Sequence, residues 1–311
     1  MTAADSPSGT KSSAKVFASR VGAVVVSTRP RQWPKNLVVL AALLFALEFR
    51  HGPSVLTAVV AMLLFTLVSA GYYVLNDVVD APLDRRHESK RKRPIAAGLV
   101  SARIAIGTGL FMVVSALALS FALGPAFGLV LSAYALVQVG YSLFLKHVVL
   151  LDVLAIAIGF VIRAAGGAVA ISVAISPWLY GCTFLLALFL AVSKRWAELV
   201  RHPHAPAARP VLNQYTPDFL RTLVTMTVTA TLTSYTLYTF SAPNLPVNHL
   251  MMLTVPVVLY GLFRYVYLIQ VRGVGEEPER LLLEDRGILI SGIVWVIASW
   301  GILQFAGGPV V

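Results

Sequence analysis

The chain has 311 residues, of which 58% are hydrophobic and only 13% charged, with a mean hydropathy of +0.79. Soluble domains carry about twice that share of charge, so the composition excludes an ordinary water-soluble enzyme and calls for an apolar solvent. The net charge of +11 invites a nucleic-acid reading, which the placement of the cations removes below, and the single cysteine, Cys182, excludes intrachain disulfides and Cys-based metal sites.

In chain order, the small, polar "MTAADSPSGTKSSAK" makes residues 1–20 an expected disordered cytoplasmic tail, leaving 21–311 as a single transmembrane domain. The first apolar run, "NLVVLAALLFALEF", follows "RPRQWPK" and has no small-x-small cleavage site after it. It reads as a retained first helix and not as a signal peptide. Apolar runs of spanning length lie near 36–50, 55–75, 103–123, 126–145, 151–171, 178–195, 220–240, 248–270 and 287–306. The breaks "HGPS", "LGPAFG", "ISP" and "SAPNLP" carry turn chemistry. The expected fold is an all-α polytopic membrane protein of nine transmembrane helices.

In that layout every Lys and Arg except Arg50, Arg163 and Arg264 falls on one side. The positive-inside rule then places the N-terminus and the 2–3, 4–5, 6–7 and 8–9 connections in the cytoplasm. The basic character is topology, and no nucleic-acid partner is expected. Acidic residues are not bound by that rule, yet all but Glu48 lie on the same side. A face carrying both signs can hold a metal and phosphates together.

The densest such stretch is "NDVVDAPLDRRHESKRKRP", residues 76–94. If the second span stays helical to Asp84, then Asn76, Asp80 and Asp84 follow at i, i+4 and i+8, with Tyr73 one turn earlier. Asp77 then points about 100° away from Asn76, and Pro82 is where the helix would kink or stop. Clustered oxygen ligands suit Mg²⁺, which shares its shell with substrate phosphates. Lys90, Arg91 and Arg93 are placed to grip those phosphates. The bland alternative is a juxtamembrane cluster whose acids only balance the cations.

The same stretch, extended to "NDVVDAPLDRRHESKRKRPIAAG", resembles the first aspartate-rich motif of the UbiA-type intramembrane prenyltransferases, N-D-x-x-D-x-x-x-D ending in R-P-I. The resemblance implies a helical bundle around a cavity open to the cytoplasm, and Mg²⁺-dependent departure of diphosphate. Most members carry a second motif, D-x-x-x-D, near the end of span 6. Here the equivalent place reads "VSKRWAEL", with Lys194, Arg195 and the single acid Glu198. That departure, with "RPRQWPKN", "YSLFLKH", "VIRAAGG" and "GEEPE…LEDR", is similar to a phosphoribosyl-transferring branch of the family. The branch moves phosphoribose from 5-phosphoribosyl diphosphate (PRPP) to a polyprenyl (decaprenyl) phosphate, for cell-wall arabinan synthesis.

The resemblance implies a site residue by residue. Asn76, Asp80 and Asp84 would hold Mg²⁺, and Asp77, Asp80, Asp84 and Lys194 would serve catalysis. Lys35, Tyr73, Lys90, Arg91, Arg93 and Lys146 would surround PRPP, and Arg163 and Arg195 would meet donor or lipid phosphate. The partners are the two substrates and the bilayer, with a homo-oligomer compatible. The location is the plasma membrane, the site facing the cytoplasm. The competing reading is prenyl transfer to an aromatic acceptor; a transporter is disfavoured because no inverted repeat is visible.

Some features keep plainer readings beside these. Arg163 lies eleven residues beyond Asp152, roughly 16 Å into the bilayer, sharing a helix face with it. It is expected either to meet phosphate or to clamp helices together. Lys194 and Glu198 could simply pair at i, i+4. Lys146 ends a helix, where cations are favoured anyway. "RAAGGAVA" reads as close helix packing, and "EEPERLLLEDR" as an amphipathic surface helix with acids at its start.

Overall fold

The computed structural model describes residues 21–86, 90–174, 176–201, 210–242, 245–275 and 277–306; the expected tail over 1–20 lies outside them. Among the described residues all regular structure is helical. The α-helices are α1 (Ala41–Phe45), α2 (Gly52–Asp84), α3 (Ala102–Leu123), α4 (Pro125–Leu143), α5 (Leu151–Ala170), α6 (Pro177–Arg201), α7 (Pro217–Ser241), α8 (Val255–Gln270), α9 (Pro278–Glu284) and α10 (Arg286–Gly301).

Seven helical stretches are long and apolar enough to cross a membrane: α2 to α6, Leu250–Gln270 with α8, and Arg286–Phe305 with α10. The other two expected spans differ for identifiable reasons. The run at 220–240 is α7, 25 residues long, but threonines dilute its hydropathy. Many of them return their hydroxyls to the carbonyl one turn back, as Thr231 does to Thr227 at 2.7 Å. The run at 36–50 is not a continuous α-helix. Pro30–Leu40 is a 3₁₀ helix with Pro34 inside it, then come α1 and a second 3₁₀ turn at Glu48–Arg50. Proline removes a donor from the α ladder, and Leu47 sits in the left-handed region at φ 58°, which breaks the path again.

The described residues form two compact units, one drawn from 21–33 and 66–118, the other from 34–65 and 119–306. In the first, the second half of α2 packs with α3. Gly71 and Gly109 let the two backbones approach, since a methyl group on Gly71 would meet the Gly109 carbonyl oxygen at 2.8 Å. The returning segment after α2 buries Ile95 and Val100 against Val74, Ala81 and Ala105.

In the second unit, α4, α5, α6 and α7 pack in chain order, and α8 packs on α10. Its main core joins Phe189 and Val192 of α6, Leu220 and Val224 of α7, and Tyr265 and Ile269 of α8. Asp285 caps α10, accepting from the Ile288 amide at 3.0 Å and from two Arg264 nitrogens at 3.2 and 2.9 Å. That Arg264 fork holds the Asp285 carboxyl below the usual carboxylate range.

The small residues of "RAAGG" serve packing, as expected. Gly166 lies against the Phe65 ring and Gly167 against the Val39 carbonyl. A Gly167→Ala methyl would overlap that backbone oxygen, which cannot swing aside. The variant is expected to lose about 1–3 kcal/mol of stability, read as a lower Tm in detergent. Gly107→Ala on α3 meets open space and should be neutral or gain up to ~1 kcal/mol from helix propensity. Equal melting of the two variants would contradict the close approach.

Candidate active site

Helix α2 runs unbroken through Pro82 to Asp84, so the acidic residues do occupy a helix. Asp77 lies about 100° round the helix from Asn76, as expected, and because residues seven apart drift only about 20° on an α-helix it stacks with Asp84. Both are buried, at 2% and 4% exposure. Arg93 bridges them, its Nη1 at 2.7 Å from Asp84 Oδ2 and 3.3 Å from Asp77 Oδ1. Arg29 donates to the same Asp77 oxygen and lies over the Tyr73 ring, 5.1 Å from its centroid. Arg29 holds a positive φ of 54°, strain that is tolerated where the ion pair fixes the backbone.

Asn76 and Asp80 are half-buried on the same helix. Lys90 is half-buried and Arg91 exposed on the 3₁₀ turn Lys90–Lys92, while Arg85 anchors the returning segment by donating to the Ala96 carbonyl at 3.1 Å.

Among the described residues, no group of three or more His, Cys, Asp or Glu is placed to hold a metal alone. Asp77 is paired with Arg29 and Arg93, and Asp84 with Arg93, while Asn76, Asp80 and Asp84 carry the oxygen groups that the sequence assigned to Mg²⁺. This donor set fits Mg²⁺, which binds through one or two carboxylates and completes its octahedron with water and substrate phosphate.

The second unit carries a separate polar cluster at the end of α6. Arg195 is 1% exposed and its guanidinium is used by the protein itself. Nε reaches Asp152 Oδ2 at 2.6 Å, Nη1 reaches Glu198 Oε2 at 2.8 Å, and Nη2 reaches the Tyr141 hydroxyl at 3.3 Å. Tyr215 completes the set, donating to Asp152 Oδ1 at 2.7 Å and accepting from the Leu150 amide at 2.7 Å. Burial, reinforced by the Asp152 carboxylate, pushes the Tyr215 hydroxyl up to about 12, so it remains a donor. Glu198 therefore hydrogen-bonds Arg195, while Lys194 lies in the field of Glu198, Lys35 and Glu279.

Lys35 pairs with Glu279 at 3.5 Å. Burial alone would raise the Glu279 carboxyl, but Lys35 and Lys194 together hold it below the usual range. Glu279 belongs to α9, so the stretch read as a surface helix is only partly one. Arg280 and Glu284 pair on its exposed side, and Glu279 turns inward.

Arg163 is buried at 5% exposure and takes the helix-clamping alternative. Nε donates to Asn36 Oδ1 at 2.7 Å, Nη1 to the Gly159 carbonyl at 3.2 Å, and Nη2 to the Tyr134 hydroxyl. Its guanidinium also lies over the Tyr134 ring at 4.6 Å and the Phe160 ring at 5.1 Å. Asp152, on the same helix, faces Arg195 and not a common cavity with Arg163. Lys146 is half-buried on the 3₁₀ turn Leu145–His147 that follows α4.

The structure thus gathers Asp77, Asp84 and Arg93 in one unit, and Lys35, Lys194 and Arg195 in the other. It adds residues that sequence reasoning passed over: Arg29, Asn36, Tyr134, Tyr141, Tyr215 and Glu279. Arg29 and Asn36 were in view within "RPRQWPKN", Tyr141 within "YSLFLKH" and Glu279 within "GEEPE…LEDR"; nothing in the local pattern marked Tyr134 or Tyr215.

Among the described residues the fold is all-helical with seven stretches of membrane-spanning length, an Asn/Asp-bearing end of α2 and a charged cluster at the end of α6. The chain belongs to the UbiA prenyltransferase family, whose model matches residues 37–283. It is 34% identical to the decaprenyl-phosphate phosphoribosyltransferase of Mycolicibacterium smegmatis, over 89% of this chain and 91% of that one. It is 32% identical to the protein of that name from Mycobacterium tuberculosis, over 93% and 96%. Among solved structures, a UbiA homolog from Archaeoglobus fulgidus bound to GPP and Mg²⁺ superposes with a TM-score of 0.70. The identity there is 16%, over 90% of this chain and 99% of that one, and it shows the fold alone.

Proposed function

We propose that the chain transfers 5-phosphoribose from PRPP to a polyprenyl (decaprenyl) phosphate, giving polyprenylphosphoryl-5-phosphoribose and diphosphate. The observation that carries this is the end of α6. Lys194 stands there in an electrostatic cluster with Lys35, Glu198 and Glu279, in place of the paired aspartates of the prenyl-transferring members. Cations suit a phosphate directly, and both substrates of this reaction carry phosphates. The relatives named decaprenyl-phosphate phosphoribosyltransferase, matched over about nine-tenths of the chain, support the same reading.

In the reaction an oxygen of the lipid phosphate bonds to C1 of the ribose as the bond from C1 to diphosphate breaks. The lipid phosphate is already anionic near neutral pH, so no strong general base is required. Asn76, Asp80 and Asp84 would hold Mg²⁺, which when bound neutralises charge on the leaving diphosphate. In the first unit Lys90, Arg91 and Arg93 grip phosphate oxygens, Tyr73 helps to place the donor, and Asp77 orients Arg29 and Arg93. In the second unit Lys35, Lys146 and Lys194 are the phosphate-binding cations, while Arg195 and Arg163 fix the scaffold that carries them. Fixed cations of this kind stabilise charge that develops in the transition state.

Within the same proposal, residues 21–311 act as one catalytic domain with nine spans. The basic connections face the cytoplasm at the plasma membrane, and the product feeds cell-wall arabinan synthesis. Purified protein given labelled PRPP and decaprenyl phosphate is expected to move label into the lipid fraction, release diphosphate and stop on chelation of Mg²⁺. Transfer of a prenyl chain from a prenyl diphosphate to an aromatic acid, with PRPP inert, would overturn the proposal.

A further inference from the structure

We infer that Glu279 is a positioning residue for donor binding: it holds the ammonium groups of Lys35 and Lys194 together as a two-cation grip for a phosphate of PRPP. The inference rests on the function proposed above and adds a residue and a role to it.

In the second unit Asp152, Glu198 and Asp285 are bound by arginine at 2.6, 2.8 and 2.9 Å. The planar guanidinium of Arg195 bridges the first two, and that of Arg264 holds the third by two bonds, geometry that suits a rigid scaffold. Glu279 instead faces lysines: Lys35 from the 3₁₀ run Pro30–Leu40 at 3.5 Å, and Lys194 from α6. Its side chain is only 10% exposed, so this is not a solvated surface pair. An ammonium is a point charge on a flexible stem, able to leave the carboxylate for an incoming phosphate.

A further observation points to a ligand. From α8, the Tyr265 hydroxyl lies in the field of Glu279, fully buried and without a hydrogen-bond partner. Buried hydroxyls ordinarily have one. Around Glu279 the charged and titratable groups are thus Lys35, Lys194 and Tyr265, with Glu198 and Arg195 flanking Lys194. Without the carboxylate, two neighbouring ammoniums repel each other, and one loses its proton more easily as pH rises.

Glu279→Gln in the full-length enzyme is expected to raise the KM for PRPP about tenfold, the effect of losing one of the two ammonium contacts to its phosphate. The KM for decaprenyl phosphate should stay within about twofold of wild type, since the acceptor is not what this grip holds. The alkaline limb of kcat/KM for PRPP should move down by about one pH unit, and Glu279→Asp should restore much of it. A fall in kcat with both KM values and the pH profile unchanged would overturn the inference. So would a lower Tm with no change in PRPP affinity. If wild type ignores PRPP, the proposed function fails but the grip remains testable with inorganic diphosphate as probe. Glu279→Gln, or Glu279→Asp should Gln not fold, must then bind diphosphate more weakly than wild type, and equal affinity would reject the grip.

Discussion

Asp80→Asn is expected to cut turnover about a hundredfold or more, because losing the metal's charge stabilisation raises the barrier by several kcal/mol. The protein should still insert and melt normally. Asp80 is half-buried on α2, whereas Asp77 and Asp84 carry the ion pairs printed above with Arg29 and Arg93. Asp77→Asn is the informative partner experiment. It removes the negative charge that two arginines pair with at a buried position, so the expected signature includes a lower Tm as well as lost activity. Activity and thermal unfolding measured on both variants, with Mg²⁺ titrated, separate the roles. Near-normal turnover in a well-folded Asp80→Asn protein would remove Asp80 from the metal site.

Arg195→Met is expected to have the largest effect on stability. Asp152 is 0% exposed, and its carboxylate keeps only the Tyr215 hydroxyl once the guanidinium is gone. Breaking a buried ion pair by deleting one member costs about 3–5 kcal/mol, since the remaining charge stays desolvated. The single variant should express poorly or melt far below wild type. The double variant Arg195→Met/Asp152→Leu should recover much of the loss, because no uncompensated charge is then buried. If Arg195→Met instead melts like wild type and loses PRPP affinity, Arg195 serves substrate, as its place in "SKRWAEL" first led one to expect.

The same two residues show what was legible in advance and what was not. The long helices could be read because spanning segments are set by local composition: about 20 apolar residues in a row need no distant partner to become a helix in lipid. The motif on α2 could be read because helical spacing is local, and because its sequence resembled a known family over many positions. Even there the spacing left the partners of Asp77 open. Angular position on one helix says where a side chain starts, not which arginine from another segment will meet it.

Arg163 was read as a cation too deep to stand alone, and Arg195 as one suited to a phosphate. Their partners were not seen, because Asn36 lies 127 positions from Arg163 and Asp152 lies 43 from Arg195. A buried guanidinium must be satisfied, but the sequence offers phosphate, carbonyl, tyrosine and carboxylate equally. The choice is made when α4, α5, α6 and the 3₁₀ run pack around it. The inward turn of Glu279 has the same origin. "EEPERLLLEDR" has the pattern of a surface helix, and only the lysines brought in from Pro30–Leu40 and α6 turn Glu279 inward. Composition thus determined the apolar helices of membrane-spanning length, and spacing the run of acids along the end of α2. Tertiary packing decided which arginine or lysine each carboxylate meets, because ion-pair partners are settled by proximity in space and not along the chain.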